Sequence, residues 1–231
     1  MKYYPIFLNL SGKRCLVIGG GEVATRKVET LLRSGAKVGI IARELSESLR
    51  EKVMEGTVQH LNPEYSAQYL QGMDLILVAT NDKELNQQAA QDARKEGIWC
   101  NIADRPELCD FILPSLITRG DLLVAISTSG SSPALARKLR EDLESFLVVE
   151  YDPFLNLLRK IRIRLFKEGR SPAENQKLLE ALVYSPILNW IRQGNLERIE
   201  THLKEVLGPA YTLDSLGWTP EPTSSNACYL L

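Results

Sequence analysis

The chain has 231 residues, 44% hydrophobic and 25% charged, which suits one large domain or two small ones and allows a sizeable core without disulfides or metal. Lys and Arg number 28 against 29 Asp and Glu, a net charge of −1, so no global field draws the chain to nucleic acid or to an anionic membrane. Any basic site for an acidic ligand is therefore local.

The N-terminus does not read as a signal peptide, and no run approaches the roughly 18 apolar residues of a membrane span. Cys15, Cys100, Cys109 and Cys228 form no CxxC pair, and their spacings fit no usual zinc pattern. Cys15 and Cys100 lie inside apolar runs, where a reduced thiol behaves as a small hydrophobe. A reducing cytoplasm is the expected location, with neither nucleic acid nor membrane as partner.

Residues 15–18 (CLVI) form an apolar run ended by Gly19-Gly20-Gly21. A helical pattern follows, with Ala24, Val28, Leu31 and Leu32 on one face and Gly35 at its C-terminus. Residues 38–42 (VGIIA) read as a strand, followed by a short amphipathic helix through Leu49 and Val53 that stops near Gly56. Residues 75–79 (LILVA) are continuously apolar, as in a parallel sheet covered on both faces. Asn81, with Glu84 three residues on, reads as the cap of a helix ending near Gly97. Residues 98–103 (IWCNIA) form a further strand. This alternation predicts an α/β fold, an N-terminal Rossmann doubly wound parallel sheet.

Residues 122–127 (LLVAIS) predict a strand. A polar loop, 128–133, then leads to a helix near Pro133 with Leu135, Leu139, Leu143, Phe146 and Leu147 along one side. Beyond Glu150 the pattern is helical only. Phe154, Leu158, Ile161 and Leu165 mark one helix. Ser171-Pro172-Ala173-Glu174 is a capping box whose helix is expected to bury Leu178, Leu179, Leu182 and Val183. Ser185-Pro186 starts another helix, and Ile199, Leu203, Val206 and Leu207 mark the last, stopped by Gly208-Pro209. The expected organisation is a Rossmann domain at 1–113, a central α+β segment at 114–149, a small helical domain at 150–218 and a disordered tail at 219–231, rich in Pro, Ser and Thr.

Gly19-Gly20-Gly21-Glu22-Val23-Ala24 matches the G-x-G-x-x-A dinucleotide fingerprint, and it sits between a strand and a helix as that fingerprint requires. Gly19 permits the turn, Gly21 lets a pyrophosphate approach the backbone, and Ala24 lets helix and strand pack closely. The helix N-terminus then offers free N–H groups and a positive dipole end to the phosphates. The ribose-binding acid of such sites ends the second strand; Glu44 stands there, while the adjacent Arg43 would meet a 2′-phosphate. NAD is the expected cofactor, with NADP left open by Arg43.

Asp104 follows the last strand of the sheet, at the edge where such folds bind ligands, and is the candidate acid–base residue. The loop Ser127-Thr128-Ser129-Gly130-Ser131-Ser132-Pro133 offers hydroxyls and backbone donors for anionic groups. Nearby basic residues are Arg105, Arg119, Arg137, Lys138 and Arg140. His60, after a strand-like segment, and His202, in a late helix, read as surface or packing residues. No metal site and no nucleophile–base triad is expected.

Several blocks together resemble one family. Tyr4 to Leu10 (YPIFLNL), Gly12-Lys13, Val17 to Gly21, Val23 to Lys27 (VATRK), Ala79-Thr80-Asn81-Asp82, Cys100 to Asp104 (CNIAD), Asp110 to Ser115 (DFILPS) and Ser127 to Ala136 resemble, in order, the blocks of precorrin-2 dehydrogenases. The resemblance covers roughly residues 3 to 145. It implies NAD-dependent oxidation of precorrin-2 to sirohydrochlorin by an interlocked homodimer; some members also insert ferrous iron to make siroheme. It implies that Asp104 is the essential aspartate. Gly19 to Ala24, Arg43, Glu44, Thr80 and Asn81 are the expected cofactor-binding residues. The resemblance places the loop with Ser127, Thr128, Ser129, Gly130 and Ser131 at the tetrapyrrole, whose acetate and propionate groups make Arg105 and Arg137 candidate partners. The reading weighed against this is an NAD-sensing regulatory module without catalysis, which needs the glycines but not Asp104.

Overall fold

A computed structural model of the chain describes residues 2–221. Cys228 and residues 222–231 of the expected tail lie outside the described residues. The chain divides into two compact units, one ending at Leu113 and one beginning at Pro114.

The first unit runs β1 (Arg14–Ile18), α1 (Glu22–Arg33), β2 (Lys37–Ile41), α2 (Glu47–Met54), β3 (Val58–Asn62), a 3-10 turn at Ala67–Leu70, β4 (Leu75–Val78), α3 (Lys83–Glu96) and β5 (Trp99–Ile102). The strands form one parallel sheet in the order β3-β2-β1-β4-β5. Strands that read as unbroken apolar runs do so because both faces are covered. Cys15, Val17, Val38, Ile40, Leu75 and Leu77 face one side, with Ala24, Val28 and Leu31 of α1 and Leu49 of α2. Leu16, Ile18, Ile41, Ile76 and Val78 face the other, with Leu70 and the small Ala89, Ala90 and Ala93 of α3.

Two sequence expectations shift here. The cap of α3 is Asp82, not Asn81: its carboxylate accepts from the amides of Glu84 and Leu85, each at 3.0 Å. An Asp outcompetes its neighbour because the next turn places two free amides over its side chain. His60 lies inside β3 rather than after a strand. This edge strand buries only Val58, so it lacks the apolar run that marks the others. The imidazole Nε2 is 3.0 Å from the Ala42 carbonyl oxygen.

The second unit opens with an antiparallel hairpin, β6 (Ser115–Arg119) and β7 (Leu122–Ile126), followed by α4 (Pro133–Phe146). The sequence reading missed β6, because Ile117 is its one buried side chain. At the tip Gly120 has φ +56°, and a Cβ there would overlap the Asp152 carboxylate. From α4, Ala136 and Arg140 are buried, whereas Leu135, Leu139, Leu143 and Phe146 are 37% to 74% exposed.

The rest is a helical bundle: α5 (Tyr151–Lys167), α6 (Pro172–Val183), α7 (Ile187–Arg192) and α8 (Leu196–Leu207). Its core joins Phe154, Leu157, Ile161, Leu165, Leu182, Ile187, Ile199 and Leu203. The capping box at Ser171 forms as read, with the Ser171 hydroxyl and the Glu174 carboxylate each serving the other's amide. Val183 is half exposed rather than buried, since the single turn that holds Leu182 inside turns its neighbour outward. Trp218 seals the bundle, donating through Nε1 to the Pro153 carbonyl at 2.8 Å.

Candidate active site

The glycine loop between β1 and α1 lies where β1 has β2 on one side and β4 on the other. This is the topological switch point, where open α/β sheets bind ligands. Two of its glycines are required by the chain's own backbone. Gly19 has φ +120°, and a Cβ there would overlap the Ala79 carbonyl oxygen and stand 2.8 Å from its carbon. A Cβ on Gly20 would overlap the Glu44 carbonyl oxygen and stand 2.9 Å from the Ala42 Cβ. These close approaches are fixed by hydrogen bonds: Gly19 N donates to Ile41 O at 2.9 Å, and Ser46 N to Gly20 O at 2.8 Å.

Gly21 is different. It caps α1 with φ −84° and ψ −171°, a conformation open to any residue, and a Cβ there would meet nothing within 4 Å. No side chain caps the helix at this end. The first-turn amides of α1 therefore face open space beside a residue that leaves room. That arrangement fits a dinucleotide pyrophosphate.

The loop is tied to α2 by Thr25. Its hydroxyl donates to Gly21 O at 3.1 Å and lies 2.8 Å from the Ser46 hydroxyl, which caps α2. Neither residue was singled out from sequence. Arg43 and Glu44 are exposed just beyond the end of β2. Arg43 pairs with Glu64 at 3.2 Å. Thr80 and Asn81 follow β4. The Thr80 hydroxyl donates to the buried Asn86 at 2.7 Å, so its role within the chain is to shape the β4–α3 turn.

Asp104 stands at the tip of a short excursion after β5. The excursion is closed at its base three times: Asp110 accepts from Cys100 N at 2.9 Å, Asn101 Nδ2 donates to Phe111 O at 2.9 Å, and Ile102 N donates to the Cys109 sulfur at 3.1 Å. Asp104 is exposed, with φ +60°. Asp tolerates the left-handed region better than most residues, and such backbone strain gathers where a side chain must be presented. Arg105, next to it, is paired with Glu107 at 2.6 Å.

One residue at this edge escaped the sequence reading. Lys27 of α1 reaches β5, its ammonium donating to Asn101 Oδ1 at 3.2 Å. Burial pulls its proton affinity below that of an ordinary lysine, while Cys109 and Asp104 act in the opposite sense. The signal was present: Lys27 lies three residues from Ala24 and four from Leu31, on the stripe α1 buries.

In the second unit the loop 127–133 is held by its own hydroxyls. Thr128 accepts from Ser132 N at 3.0 Å, Ser127 accepts from Ser129 N at 3.0 Å, and Ser132 caps α4. Ser129 has φ +54°, and Gly130 and Ser131 are exposed beside it. Of the basic residues read from sequence, Arg137 is exposed on α4 without an ion-pair partner among the described residues. Lys138 pairs with Asp142, and Arg119 donates to the Leu147 carbonyl at 2.8 Å. Arg140 is 2% exposed and bonded to Glu144 at 3.0 Å, which removes it from any ligand surface.

A parallel sheet with a glycine-lined switch point, followed by a hairpin and a helical bundle, defines a Rossmann-type dinucleotide-binding protein. Residues 6–115 match the family described as putative NAD(P)-binding, and residues 119–145 the family described as sirohaem biosynthesis protein central. The siroheme synthase of Nitrosomonas europaea is 34% identical over 208 residues, and that of Methylobacillus flagellatus 41% over 208. In each case the match covers 90% of this chain and 44% of the relative, so the chain spans less than half the length of the curated relatives it matches. The solved structure of SirC, a precorrin-2 dehydrogenase, superposes with a TM-score of 0.71 at 27% identity, over 86% of this chain and all of that one. The chain is thus similar to siroheme synthases over 90% of its own length and to a precorrin-2 dehydrogenase over the whole of that chain.

Proposed function

We propose that the protein oxidises precorrin-2 to sirohydrochlorin with NAD, and that Asp104 takes part in the chemistry. The observation that carries this reading is the pairing, along one sheet edge, of a helix N-terminus opened by Gly21 with a carboxylate raised on the strained tip of the β5 loop. A regulatory module needs the first and has no use for the second.

When bound, NAD supplies the acceptor for one hydride. The substrate must also release one proton, and the products are sirohydrochlorin, NADH and that proton. The chain's own groups divide the remaining work. Gly21 and the first-turn amides of α1 hold phosphates, and Glu44 accepts from a ribose hydroxyl. Asp104 accepts the proton or orients the ring that releases it. Arg105 is a proposed donor to the substrate's acetate and propionate groups, and the exposed loop 127–131 and Arg137 of the second unit are further candidate donors.

Three further parts of the reading rest on the family and on particular surfaces. Iron insertion would release two pyrrole protons as the ion enters, and Asp104 is the group proposed to accept them. A second copy of the chain is the proposed partner of α4, whose Leu135, Leu139, Leu143 and Phe146 are exposed together. A cytoplasmic location agrees with free thiols at Cys15, Cys100 and Cys109. Among the described residues no helix is long and apolar enough to cross a membrane.

The test is an anaerobic assay of precorrin-2 with NAD or NADP, read by absorbance, on the wild type and on Asp104→Asn. Asn also accepts a left-handed backbone, so the variant removes charge without adding strain. Turnover should fall by roughly 10²- to 10⁴-fold while NAD still raises the melting temperature. Full turnover in Asp104→Asn would remove the residue from the mechanism, and a wild type indifferent to NAD would remove the cofactor.

A further inference from the structure

Lys27 is a cation with unspent hydrogen-bonding capacity at the reacting edge of the sheet. An ammonium carries three donors. Here one is used, on Asn101 Oδ1 at 3.2 Å, and among the described residues no carboxylate stands within ion-pair distance. Asn101 cannot turn to offer more. It is 7% exposed, and its Nδ2 is committed to the Phe111 carbonyl at 2.9 Å. The acceptor is therefore a fixed, neutral oxygen, which holds the ammonium against β5, the strand that leads into the loop carrying Asp104.

A half-buried charge with one neutral partner is costly, and a methionine of similar length would avoid that cost. The position makes physical sense if an anion arrives there. Two sources of anion come to this sheet edge: the dinucleotide's pyrophosphate and the substrate's carboxylates. The pyrophosphate is already served by the open amides of α1 beside Gly21. Lys27 instead reaches across to β5, and Asp104 is near enough to act on its charge.

We propose that Lys27 is a substrate-anchoring residue, its ammonium taking one carboxylate of the polycarboxylate tetrapyrrole beside Asp104. The inference rests on the dehydrogenase reading above and adds a contact to it. It makes Lys27 and Asp104 a pair of unlike groups: one holds a peripheral carboxylate of the ring, and the other meets the position that gives up a proton.

The experiment titrates the full chain with sirohydrochlorin, and in parallel with its fully esterified, uncharged form, for wild type, Lys27→Met and Lys27→Arg. NAD-induced stabilisation is measured on each. Loss of one charge-assisted hydrogen bond should weaken the free acid's binding to Lys27→Met by roughly 10- to 100-fold. Lys27→Arg should recover most of that loss. The ester should bind wild type and Lys27→Met alike, a result that a purely structural role for the lysine does not produce. NAD should stabilise all three chains equally. The inference fails if Lys27→Met binds the free acid as wild type does, or loses the ester to the same extent. It also fails if Lys27→Met instead loses the NAD response, which would give the cation to the dinucleotide. A wild type that neither binds sirohydrochlorin nor turns over precorrin-2 overturns the underlying reading as well, and so separates the two failures.

Discussion

Substituting alanine at Gly19 and at Gly21 should separate folding from cofactor binding, although the two glycines are two residues apart. At Gly19 the new methyl would overlap the Ala79 carbonyl oxygen and come within 2.8 Å of its carbon, at a backbone φ of +120°. Backbone strain of this kind costs about 1–3 kcal/mol. The overlap adds more, because Ala79 N is bonded to Ile18 O at 2.7 Å and the end of β4 cannot withdraw freely. A loss of at least about 3 kcal/mol is expected, and a melting temperature lower by on the order of 10 °C. At Gly21 the methyl would meet no atom within 4 Å, and φ −84° suits alanine. Reduced unfolded-state entropy favours alanine and the weaker cap disfavours it, so stability should move by less than about 1 kcal/mol. NAD binding should nevertheless weaken by about tenfold or more, since the methyl occupies the space left for the pyrophosphate. Urea denaturation with and without NAD measures both effects. If Gly21→Ala destabilised the chain as Gly19→Ala does, or bound NAD undiminished, the division of roles among the glycines would be wrong.

Two further outcomes are expected. Burial, with help from the Asp110 carboxylate, pushes the Cys100 thiol up to about 12, and burial, with Asp74, pushes Cys15 up to about 11, against an ordinary value of 9.0. Both thiols should resist alkylation at pH 8 until the chain unfolds. Below pH 9 both states keep these protons; above it only the unfolded chain releases them, so stability should fall as pH rises from 9 toward 11, by up to about 1.4 kcal/mol per pH unit for each thiol. Rapid labelling of Cys100 in the native state, or an alkaline limb as flat as at neutrality, would contradict this. Leu139→Glu places a charge on the exposed stripe of α4 and should cost the isolated chain less than about 0.5 kcal/mol while converting a dimer to a monomer in sedimentation. An unchanged dimer, or a monomeric wild type, would show that the stripe serves something else.

Much of the first unit was legible because its signals are local. A strand covered on both faces shows as an unbroken run such as 75–78, and helix ends are written in short caps such as Ser171 with Glu174 and in Gly97. Where the signal is not local, reading failed. β6 presents one buried side chain and is a strand only because β7 pairs with it. The exposed stripe of α4 has the spacing of a buried one, since periodicity reports an apolar face without saying what covers it.

The sequence by itself determined the alternation of strands and helices in the first unit and the fingerprint at Gly19 to Ala24, and it put an acid at position 104 just past β5. Each depends on residues a few positions apart, linked by backbone geometry. The tertiary structure alone decided which glycines the chain's own backbone requires and which it leaves open, because that depends on the carbonyls of Ala79 and Glu44 arriving from other strands. It alone brought Lys27 to Asn101, 74 residues away, by packing α1 along the sheet. Contacts made through packing leave no periodic trace along the chain, so they can be read only in space.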